Sequence, residues 1–481
     1  MGCFFTPKQA CFIHECALLF TSILLLIKTG TLNGLLGFSR TLSMSKILLF
    51  GAGKSATVLI DFLVQQCAEY DFSLEVVDAL PEVAHQKIQD SVQRAHVNDA
   101  NFIGRSFDIN DSAKRLASIE SADLVLSLLP PHLHAVVALD CIHLSKSLFT
   151  ASYVDPAIRQ HAASIEANGS LFLYEMGLDP GIDHMSLLSL LDAIRLQGGQ
   201  PIRVLSHCGG LVAPESDDNP WHYKISWNPR NVVMAGKAGA QYLEKGVVIE
   251  KNHAQLFSEL RTLYLRDVGE FAFYPNRDSL SYIDRYGLQG IESFQRTTLR
   301  HPDFIRGWSE LIQLGMIDDE RMMEWTTPVS LSHALNQCSP LSTETPPDLR
   351  AMLEWLGWSD PTTILPFQTA TPAQILQFAM EQKWVLHPTD KDQVVMLHEI
   401  DYRVGTETKS MRSWLVDTGV DSVRTAMAKT VGLPLGIAAM QFLTGKWKAA
   451  GLQIPTLPEI YVSVLEELKN QGIAFEESID Q

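Results

Sequence analysis

The sequence predicts an α/β fold that begins with a parallel β-sheet and continues into an α+β part, a mostly helical insert and C-terminal helices. Short apolar runs alternate with segments of helical periodicity from residue 46 to about residue 150, which favours parallel strands with helices between them. A glycine-rich turn directly follows the first apolar run. The chain of 481 residues is 46% hydrophobic and 19% charged, so it has the composition to bury a large core.

The elements of the first part follow one another at short spacing. KILLF is the first strand, SATVLIDFLVQQCAEY the first helix, and LEVVD the second strand. The second helix is predicted to begin at Pro81, where a missing N–H costs nothing. The remaining predicted strands are NFIGRSFDI, SADLVLSLLP and SLFTASY, with the helix HAVVALDCIHLSK before the last.

After residue 150 the alternation becomes less regular. IDHMSLLSLLDAIRLQGG has helical periodicity and is closed by Gly198, and VVMLHEIDYRV and KSMRSWLVDTG are predicted to form an antiparallel pair with its turn near Gly405. The last sixty residues are predicted to be mostly helical. The predicted segments are a nucleotide-binding domain at 44–150, an α+β domain at 151–299 and 385–430, a helical domain at 300–384, and helices at 431–481 that pack back on the first domain.

The first 43 residues are predicted to lie outside the fold. Their apolar run, ALLFTSILLLI, is shorter than the roughly 20 residues that a straight membrane span requires. Met44 immediately precedes the first predicted strand and resembles a natural start. We therefore expect an upstream extension or a targeting leader at 1–43 rather than a membrane anchor.

Charge and cysteine content exclude several classes of partner. A formal net charge of -17 argues against a nucleic acid or an anionic membrane, because either needs a basic face, but it allows a local basic pocket for a small anion. The seven cysteines form no C-x-x-C pair and no metal-ligand spacing. This pattern predicts free thiols, a cytoplasmic location and no bound metal.

The stretch KILLFGAGKSA contains parts of two competing motifs. A phosphate loop of the ATPase type requires G-x-x-x-x-G-K-[ST], and its first glycine would fall at Leu48. The dinucleotide fingerprint G-x-G-x-x-[GA] fits instead: Gly51 makes the tight turn, Gly53 admits the pyrophosphate, and Ala56 lets helix and strand pack closely. Because the motif lies between a strand and a helix, it predicts a Rossmann-type domain that binds a dinucleotide.

Residues that follow the first four strands are the expected cofactor contacts. Asp78 ends the second strand, where a carboxylate accepts hydrogen bonds from the adenine ribose and repels a 2′-phosphate, so NAD is favoured over NADP. An alternative left open is that Asp78 only caps the next helix. Asp108 is expected to end the third strand and face the adenine pocket. The expected cofactor-binding residues are Gly51, Gly53, Lys54, Ser55, Ala56, Asp78, Asp108, Ile109, Leu128, Leu129 and Pro130.

Four downstream clusters combine titratable and aromatic residues with glycine and proline. Singly, each has a structural explanation: Asp179 as a helix cap, Cys208 as a small buried residue, Arg277 as the partner of Asp278. Together they suit oxidation of an anionic amino acid, because arginine binds carboxylates in bidentate fashion. The cations are Lys224, Arg277 and Arg300, and the titratable groups are Tyr153, Asp179, His207 and Cys208.

These clusters resemble the glutamate-forming saccharopine dehydrogenases. That family's motifs appear here, in the same order, as SYVDP, EMGLDPGIDH, HCGGLVAPE, NPWHYKISW, YPNRDS and TLR, with AMAKTVGLP near the end. The resemblance runs from about Lys46 to the C-terminus. Three features depart from the family pattern: His207 stands where Tyr is usual, Lys54 and Ser55 replace bulkier residues, and Asp78 replaces the Arg of NADP-using fungal members.

The resemblance implies an NAD- or NADP-dependent oxidoreductase of lysine metabolism, acting as a homodimer on a small-molecule substrate. Its reaction would be oxidative cleavage of saccharopine to glutamate and α-aminoadipate semialdehyde, or the reverse reductive condensation. By matching position, Asp179 and Cys208 are the catalytic candidates and Tyr153 assists. The residues expected to bind the three substrate carboxylates are Ser152, Tyr153, Lys224, Arg277, Thr298 and Arg300.

Two other functions stay open. A related amine-forming reductase, such as a carboxynorspermidine or homospermidine synthase, would share the fold, although the run of saccharopine-type motifs argues against it. A Rossmann protein that binds NAD without catalysis would not need Asp179, Cys208, Arg277 and Arg300 together.

Overall fold

A seven-stranded parallel sheet forms the nucleotide-binding part of the protein in the computed structural model, which describes residues 44–480. The predicted leader at 1–43 lies outside the described residues. The strand order is β17-β6-β5-β4-β1-β2-β3, which contains the 3-2-1-4-5-6 order of dinucleotide-binding sheets. The strands are β1 Lys46–Phe50, β2 Ser73–Asp78, β3 Phe102–Ser106, β4 Leu124–Ser127, β5 Ser147–Thr150, β6 Leu171–Leu173 and β17 Gly451–Gln453.

Helices of this part connect successive strands, as the alternating pattern predicts. They are α1 Thr57–Tyr70, α2 Val83–Ala95, α3 Ser112–Glu120, α4 Pro131–His143, α5 Pro156–Arg159 and α6 Ala162–Ala167. The short 3₁₀ turn Lys54–Ala56 leads from the glycine loop into α1. Residues Ile47 to Phe50 are fully buried, which explains why β1 is a continuous apolar run rather than an alternating one.

The first sheet extends beyond the boundary predicted at residue 150. Strand β6 pairs with β5, and β17, from near the C-terminus, pairs with β6. Two further predicted bounds differ from the structure. Strand β3 ends at Ser106 rather than at Asp108, and α2 begins at Val83, two residues after Pro81.

A second, mixed sheet carries most of the predicted substrate residues. Its order is β10-β11-β12-β7-β15-β16-β18, with β8 joined to β12 and β9. Strands β7 and β12 are parallel, and β15 and β16 form the predicted antiparallel pair around Gly405. The strands are β7 Gln200–Val212, β8 Ala240–Glu244, β9 Val247–Lys251, β10 Arg261–Leu265, β11 Gly269–Pro275, β12 Ser293–Arg300, β15 Asp392–Val404, β16 Glu407–Thr418 and β18 Glu476–Asp480.

Helices beside this sheet include a group around a separate aromatic core. Trp221, Trp308 and Trp384 are fully buried there. The helices that follow β6 along the chain are α7 Ile182–Leu196, α8 Pro229–Val233, α9 His253–Leu256, α10 Pro302–Gln313, α11 Leu331–Cys338, α12 Pro347–Leu353, α13 Pro372–Lys383, α14 Ala426–Leu443 and α15 Pro458–Asn470. A small pair of strands, β13 Met323–Glu324 and β14 Thr369–Ala370, completes this region.

Helix α14 packs directly on α1. A side chain at Gly432 would begin 2.9 Å from the backbone nitrogen of Leu59, so glycine is what permits this close approach. Among the described helices, α14 alone is long and apolar enough to cross a membrane, and 78% of it is buried inside the protein. That degree of burial is typical of a core helix.

Candidate active site

The glycine loop has the geometry that a dinucleotide requires. Gly51 has φ +98°, and an added Cβ would lie 2.7 Å from the carbonyl oxygen of Leu128, so no other residue fits this turn. Gly53 has open space where its Cβ would be, which leaves the backbone accessible to a phosphate. Ala56 is buried under the loop. These features fit a bound nicotinamide dinucleotide at the point between β1 and β4 where the strand order reverses.

Asp78 braces the glycine loop instead of capping helix α2. Its two carboxylate oxygens accept hydrogen bonds from the backbone N–H groups of Ala52, at 2.8 Å, and Leu80, at 2.9 Å. The N-cap of α2 is Glu82, and Asp78 makes no bond to it. The carboxylate is therefore held rigidly at the carboxyl end of β2, where the adenine ribose of a dinucleotide lies.

Other predicted cofactor residues cluster around the same edge of the sheet. Leu128 and Leu129 are partly buried after β4, and Pro130 is the exposed N-cap of α4. Lys54 and Ser55 form the turn into α1. Asp108 is exposed in the turn after β3 and accepts hydrogen bonds from Asn110, while Ile109 is buried.

Lys87 is a cation at the loop that sequence reasoning missed. Its ammonium donates to the carbonyl oxygen of Gly53, at 2.6 Å, and to the hydroxyl of Thr57, at 2.7 Å. Burial lowers the pKa of Lys87 to about 8. The sequence does not indicate that Lys87 contacts the glycine loop, because α2 otherwise looks like an ordinary helix that faces solvent.

The motif GLDPG folds into a tight turn that presents Asp179. Gly181 has φ +148°, and an added Cβ would lie 2.0 Å from the carbonyl oxygen of Gly177. The Asp179–Pro180 peptide bond is cis. The N–H of Gly181 donates to Asp183 at 2.6 Å, so Asp183 and not Asp179 stabilises the start of helix α7.

One guanidinium serves two carboxylates at this turn. Nη2 of Arg296 donates to Asp179, at 2.5 Å, and to Asp183, at 2.7 Å, and all three side chains are nearly buried. Burial raises the pKa of Asp179 despite the attraction of Arg296, and the charge of Asp183 raises it further. Burial also opposes the ionisation of Asp183, but His184 and Arg296 outweigh that effect and its pKa is lowered. The pair thus contains one carboxylate poised for proton transfer and one that stays ionised.

Tyr153 lies between this acid pair and the solvent-accessible side of the site. Its hydroxyl is 3.4 Å from Asp179, and the guanidinium of Arg277 lies 5.3 Å from its ring centroid. Burial raises the pKa of Tyr153 well above its usual value, so the phenol remains a hydrogen-bond donor. Arg277 itself has φ +48° and forms no ion pair with Asp278 among the described residues.

Cys208 and Thr298 are neighbours on one face of the second sheet. They lie opposite each other where β7 and β12 pair. Burial raises the pKa of Cys208, with Asp179 and Asp183 adding to the shift, so the thiol is protonated at neutral pH. His207, next in sequence, points to the other face of the sheet, where it forms a hydrogen bond of 2.6 Å with Thr297. The replacement of the family's usual Tyr by His207 therefore lies away from the site.

Two predicted substrate ligands are engaged elsewhere. The ammonium of Lys224 is 2% exposed and bonds Asp218, at 2.8 Å, and Asp390, at 2.7 Å, so it has no free charge for a substrate. The guanidinium of Arg300 is buried over the rings of Tyr223 and Phe304. The assignment of Lys224 and Arg300 to substrate binding therefore stays a prediction. Lys224 is held by two carboxylates, whereas Arg300 lies close enough to Cys208 to act on its thiol, and its buried Nε has no hydrogen-bond partner among the described residues. A sequence shows neither the ion-pair partners of such cations nor how deeply their side chains are buried.

A cavity of about 820 Å³ opens beside Tyr153 and has a strongly cationic lining. Six basic side chains line it against three acidic ones, in a chain whose net charge is -17. The basic residues are Arg159, Lys237, Lys251, Arg277, Arg285 and Arg296, and the acidic residues are Glu175, Glu250 and Asp278. Lys237 pairs with Asp319, and Lys251 with Glu259, whereas Arg159, Arg277 and Arg285 have no carboxylate partner among the described residues.

The wall of this cavity includes a buried network that supports Arg296. Glu175 accepts one hydrogen bond from the hydroxyl of Tyr282, at 2.8 Å, and another from Nε2 of His184, at 2.9 Å. The guanidinium of Arg296 lies 4.7 Å from the ring centroid of Tyr282. Burial disfavours the charge of Glu175, but His184, the hydrogen bond from Tyr282 and the charge of Arg296 together outweigh burial and lower its pKa. These contacts fix the position of the Arg296 guanidinium, which in turn holds Asp179.

His134, which the motif analysis did not single out, connects the two halves of the site. Its ring nitrogens bond the hydroxyls of Ser127, at 2.8 Å, and Ser152, at 2.7 Å. Ser127 ends β4, immediately before Leu128, and Ser152 precedes Tyr153. Burial lowers the pKa of His134 to about 4, so the ring is neutral and bridges the cofactor edge and the substrate loop.

Comparisons with known proteins agree with this geometry. The family described as "Saccharopine dehydrogenase NADP binding domain" matches residues 47–173, and "Saccharopine dehydrogenase C-terminal domain" matches residues 177–473. A Saccharomyces cerevisiae protein named saccharopine dehydrogenase [NADP(+), L-glutamate-forming] is 30% identical over 90% of this chain and 98% of its own length. The apo structure of the saccharopine dehydrogenase (L-Glu forming) from that yeast has a TM-score of 0.79 at 29% identity, covering 91% of this chain and all of its own.

Longer relatives match as well. An Arabidopsis thaliana protein named alpha-aminoadipic semialdehyde synthase is 30% identical over 91% of this chain, and the mouse mitochondrial protein of that name is 31% identical over 90%. The chain spans about half the length of these two relatives, 45% and 48% respectively.

Proposed function

The chain belongs to the saccharopine dehydrogenase family, and we propose that it catalyses the oxidative cleavage of saccharopine to L-glutamate and L-2-aminoadipate 6-semialdehyde, or the reverse condensation. It is an oxidoreductase with a nicotinamide cofactor. The observation that carries the substrate assignment is the charge of the cavity. Arg159, Arg277 and Arg285, which have no carboxylate partner within residues 44–480, line a space that suits a substrate with three carboxylates.

The proposed reaction assigns a task to each group beside the cavity. A bound nicotinamide would supply the hydride acceptor for oxidation of the carbon next to the secondary amine. The amine also loses its proton, a C=N bond forms, water adds to that carbon, and the carbon–nitrogen bond then breaks. One proton is released overall. Asp179 accepts a proton from the amine or the water, because its raised pKa suits general base catalysis nearer neutral pH.

Arg296 and Tyr153 position that carboxylate. Arg296 holds one oxygen of Asp179 at 2.5 Å, and the other oxygen has only a long contact of 3.4 Å with Asn276. The second oxygen is thus the freer one to take a proton. Tyr153, as a protonated phenol, donates a hydrogen bond to the substrate or to Asp179, and Cys208 acts as a neutral donor rather than as a base.

We also propose that NAD is preferred over NADP. The rigid carboxylate of Asp78 supports this preference, because it repels a 2′-phosphate and has acceptor capacity left for ribose hydroxyls. Two observations point toward NADP. The positive charge of Lys87 lies near Asp78, where it would attract a 2′-phosphate. The matching family and the yeast relative also carry NADP in their names. Comparison of kcat/KM for the two nucleotides decides the preference.

The test of function is a spectrophotometric assay of nicotinamide reduction by the purified chain with saccharopine. We expect turnover with saccharopine, and an increase of KM for saccharopine of about 10-fold or more in Arg277→Ala, because a hydrogen bond to a charged group contributes about 1.5–3 kcal/mol. Arg266→Ala is the matched control, since Arg266 is 89% exposed on a distant turn and should leave KM unchanged.

Other outcomes identify the alternatives. Turnover of carboxynorspermidine with no turnover of saccharopine would favour the related reductase. Binding of NAD or NADP without turnover of either substrate would favour a non-catalytic dinucleotide-binding protein. An Arg277→Ala variant that also loses nucleotide binding would indicate a folding defect, and Arg285→Ala would then replace it in the assay.

A further inference from the structure

We propose that His222, His301 and Asp303 form a binding site for a divalent transition-metal ion of the zinc class. His222 lies in the loop that follows β7, and the other two residues lie at the start of helix α10. Among the residues that the structure describes, these are the three side chains of metal-ligating type whose donor atoms all lie within 4.8 Å of one another. The site is independent of the proposed reaction.

Distances between the donor atoms match those around a tetrahedral ion. Zinc binds histidine nitrogen and carboxylate oxygen at about 2.0–2.2 Å, so two ligands of one tetrahedron lie about 3.3–3.6 Å apart. Nε2 of His222 is 3.6 Å from Oδ2 of Asp303, and Nδ1 of His301 is 3.6 Å from the same oxygen. These two separations fit one ion. The donor atoms of His222 and His301 lie within 4.8 Å of each other, and the two rings would have to turn for both lone pairs to reach the same ion.

A fourth residue orients the first ligand. Asp217 lies 2.6 Å from Nδ1 of His222, so the ring donates its proton there and leaves the lone pair of Nε2 free toward Asp303. Metal-binding histidines commonly have such a carboxylate partner on the second nitrogen. The other oxygen of Asp217, Oδ1, is buried with no hydrogen-bond partner among the described residues, so negative charge at this site is not fully compensated.

The electrostatics of the site favour a cation on balance. The N-terminus of α10 opposes a positive ion by about 0.3–1 kcal/mol at an exposed position. Asp217 lies 2.6 Å from Nδ1 of His222, and Asp303 lies 3.6 Å from a ring nitrogen of each histidine, so two negative charges face the rings. Nδ1 of His301 accepts a hydrogen bond from the backbone N–H of Asp303, so this nitrogen carries a lone pair that an ion can use.

The histidine rings lie very close to each other. Their centroids are 3.7 Å apart with the planes tilted by 33°, and each ring is about one-third exposed. Nδ1 of His301 now accepts a bond from the N–H of Asp303 at 3.2 Å, a long contact that an ion would displace at small cost.

The site is a property of this chain and not of its family motifs. His222 occupies one of the two open positions of the motif N-P-x-x-Y-K, and His301 follows the motif T-L-R. A bound ion would connect the loop after β7 to helix α10 and leave one tetrahedral position for water. Its expected role is therefore to stabilise this junction, with one position open to an external ligand.

Titration of the full chain with Co²⁺ and Zn²⁺, after treatment with a chelator, tests the proposal. We expect one equivalent of Co²⁺ to give the visible absorption of a four-coordinate site with nitrogen and oxygen ligands, and Zn²⁺ to displace it. In His222→Ala and in His301→Ala the affinity should fall by at least 10-fold, and in Asp217→Ala by about 10-fold. His333→Ala is the matched control, because His333 is exposed on α11, outside the cluster.

Two results would overturn the proposal. One is the absence of the four-coordinate Co²⁺ spectrum in the unmodified chain. The other is a spectrum and affinity that are the same in His222→Ala, His301→Ala and His333→Ala. Nucleotide binding by each variant, measured in the same samples, verifies that the chain is folded. Either result then reflects the metal site and not unfolding.

Discussion

Asp78 determines whether the adenine ribose meets a fixed negative charge. The Asp78→Ser variant should shift the ratio of kcat/KM from NAD toward NADP by about 10-fold or more, because one repulsive charge is removed while Lys87 remains close to the loop. Initial rates with both nucleotides at fixed saccharopine measure the ratio. Asp267→Ser is the control, since Asp267 is 89% exposed on the turn between β10 and β11, and the ratio should not change. An unchanged ratio in Asp78→Ser would mean that this residue only braces the loop.

His134 is expected to act as a positioning residue between the cofactor and the substrate. His134→Ala removes two buried hydrogen bonds, to Ser127 and Ser152, and should lower kcat for saccharopine by about 10-fold or more with little change in the KM for nucleotide. His134→Gln, which keeps one polar contact, should recover part of that loss. Equal activity of the two variants, or a loss that appears only as a lower melting temperature, would contradict a positioning role.

Site residues were predictable from the sequence where backbone conformation or a motif constrains them. Gly51 and Gly181 have conformations that only glycine adopts without strain, so their motifs identify them. Arg159 and Arg285 line the cavity but belong to no motif, because a cation on a loop looks the same whether it faces a substrate or water. The ion pairs of Lys224 could not be predicted for the same reason, since its partners Asp218 and Asp390 are far from one another in the chain.

Among the elements, helix α7 depends on glycine at both of its ends, but for different reasons. At its N-terminus, a side chain at Gly181 would overlap the carbonyl of Gly177 at 2.0 Å, whereas the space around Gly198, beyond its C-terminus, is open. Gly181→Ala should therefore disrupt the turn that holds Asp179 and abolish activity. Gly198→Ala should cost only about 1 kcal/mol, from its left-handed conformation. Thermal melts and saccharopine turnover of the two variants measure the difference, and equal effects would contradict it.

The order of strands was only partly predictable at this scale. Strands β1, β2, β4 and β5 follow the alternating pattern because each is a largely buried run between helices, and β3 follows it as a more exposed edge strand. Strands β6 and β17 have three residues each, and β17 reaches the sheet from a distant part of the chain. Periodicity over three residues cannot indicate a strand, and no local pattern indicates a partner so far away. The sheet therefore extends further than the predicted domain boundary.

Across the whole molecule, stability should fall as the pH is lowered, because several histidines are buried in neutral form. Burial lowers the pKa of His134 and of His398 to about 4. In the unfolded chain these rings take up protons near pH 6.5, so the unfolded state binds more protons between about pH 6.5 and pH 4. Stability is thus fully present above pH 6.5 and is lost progressively below it, by on the order of 3 kcal/mol per histidine.

His398 is the residue with which to test this dependence without disturbing the site. It lies on β15, fully buried, with Nε2 bonded to Ser186 at 2.7 Å and Nδ1 without a partner among the described residues. His398→Gln keeps a polar contact and removes the titrating group, so the loss of melting temperature between pH 7 and pH 5 should become smaller than in the unmodified chain. His333→Gln, at an exposed position, should leave that loss as it is. If His398→Gln shows the same loss as the unmodified chain, other groups control the acid sensitivity, and the buried neutral ring of His398 is not its source.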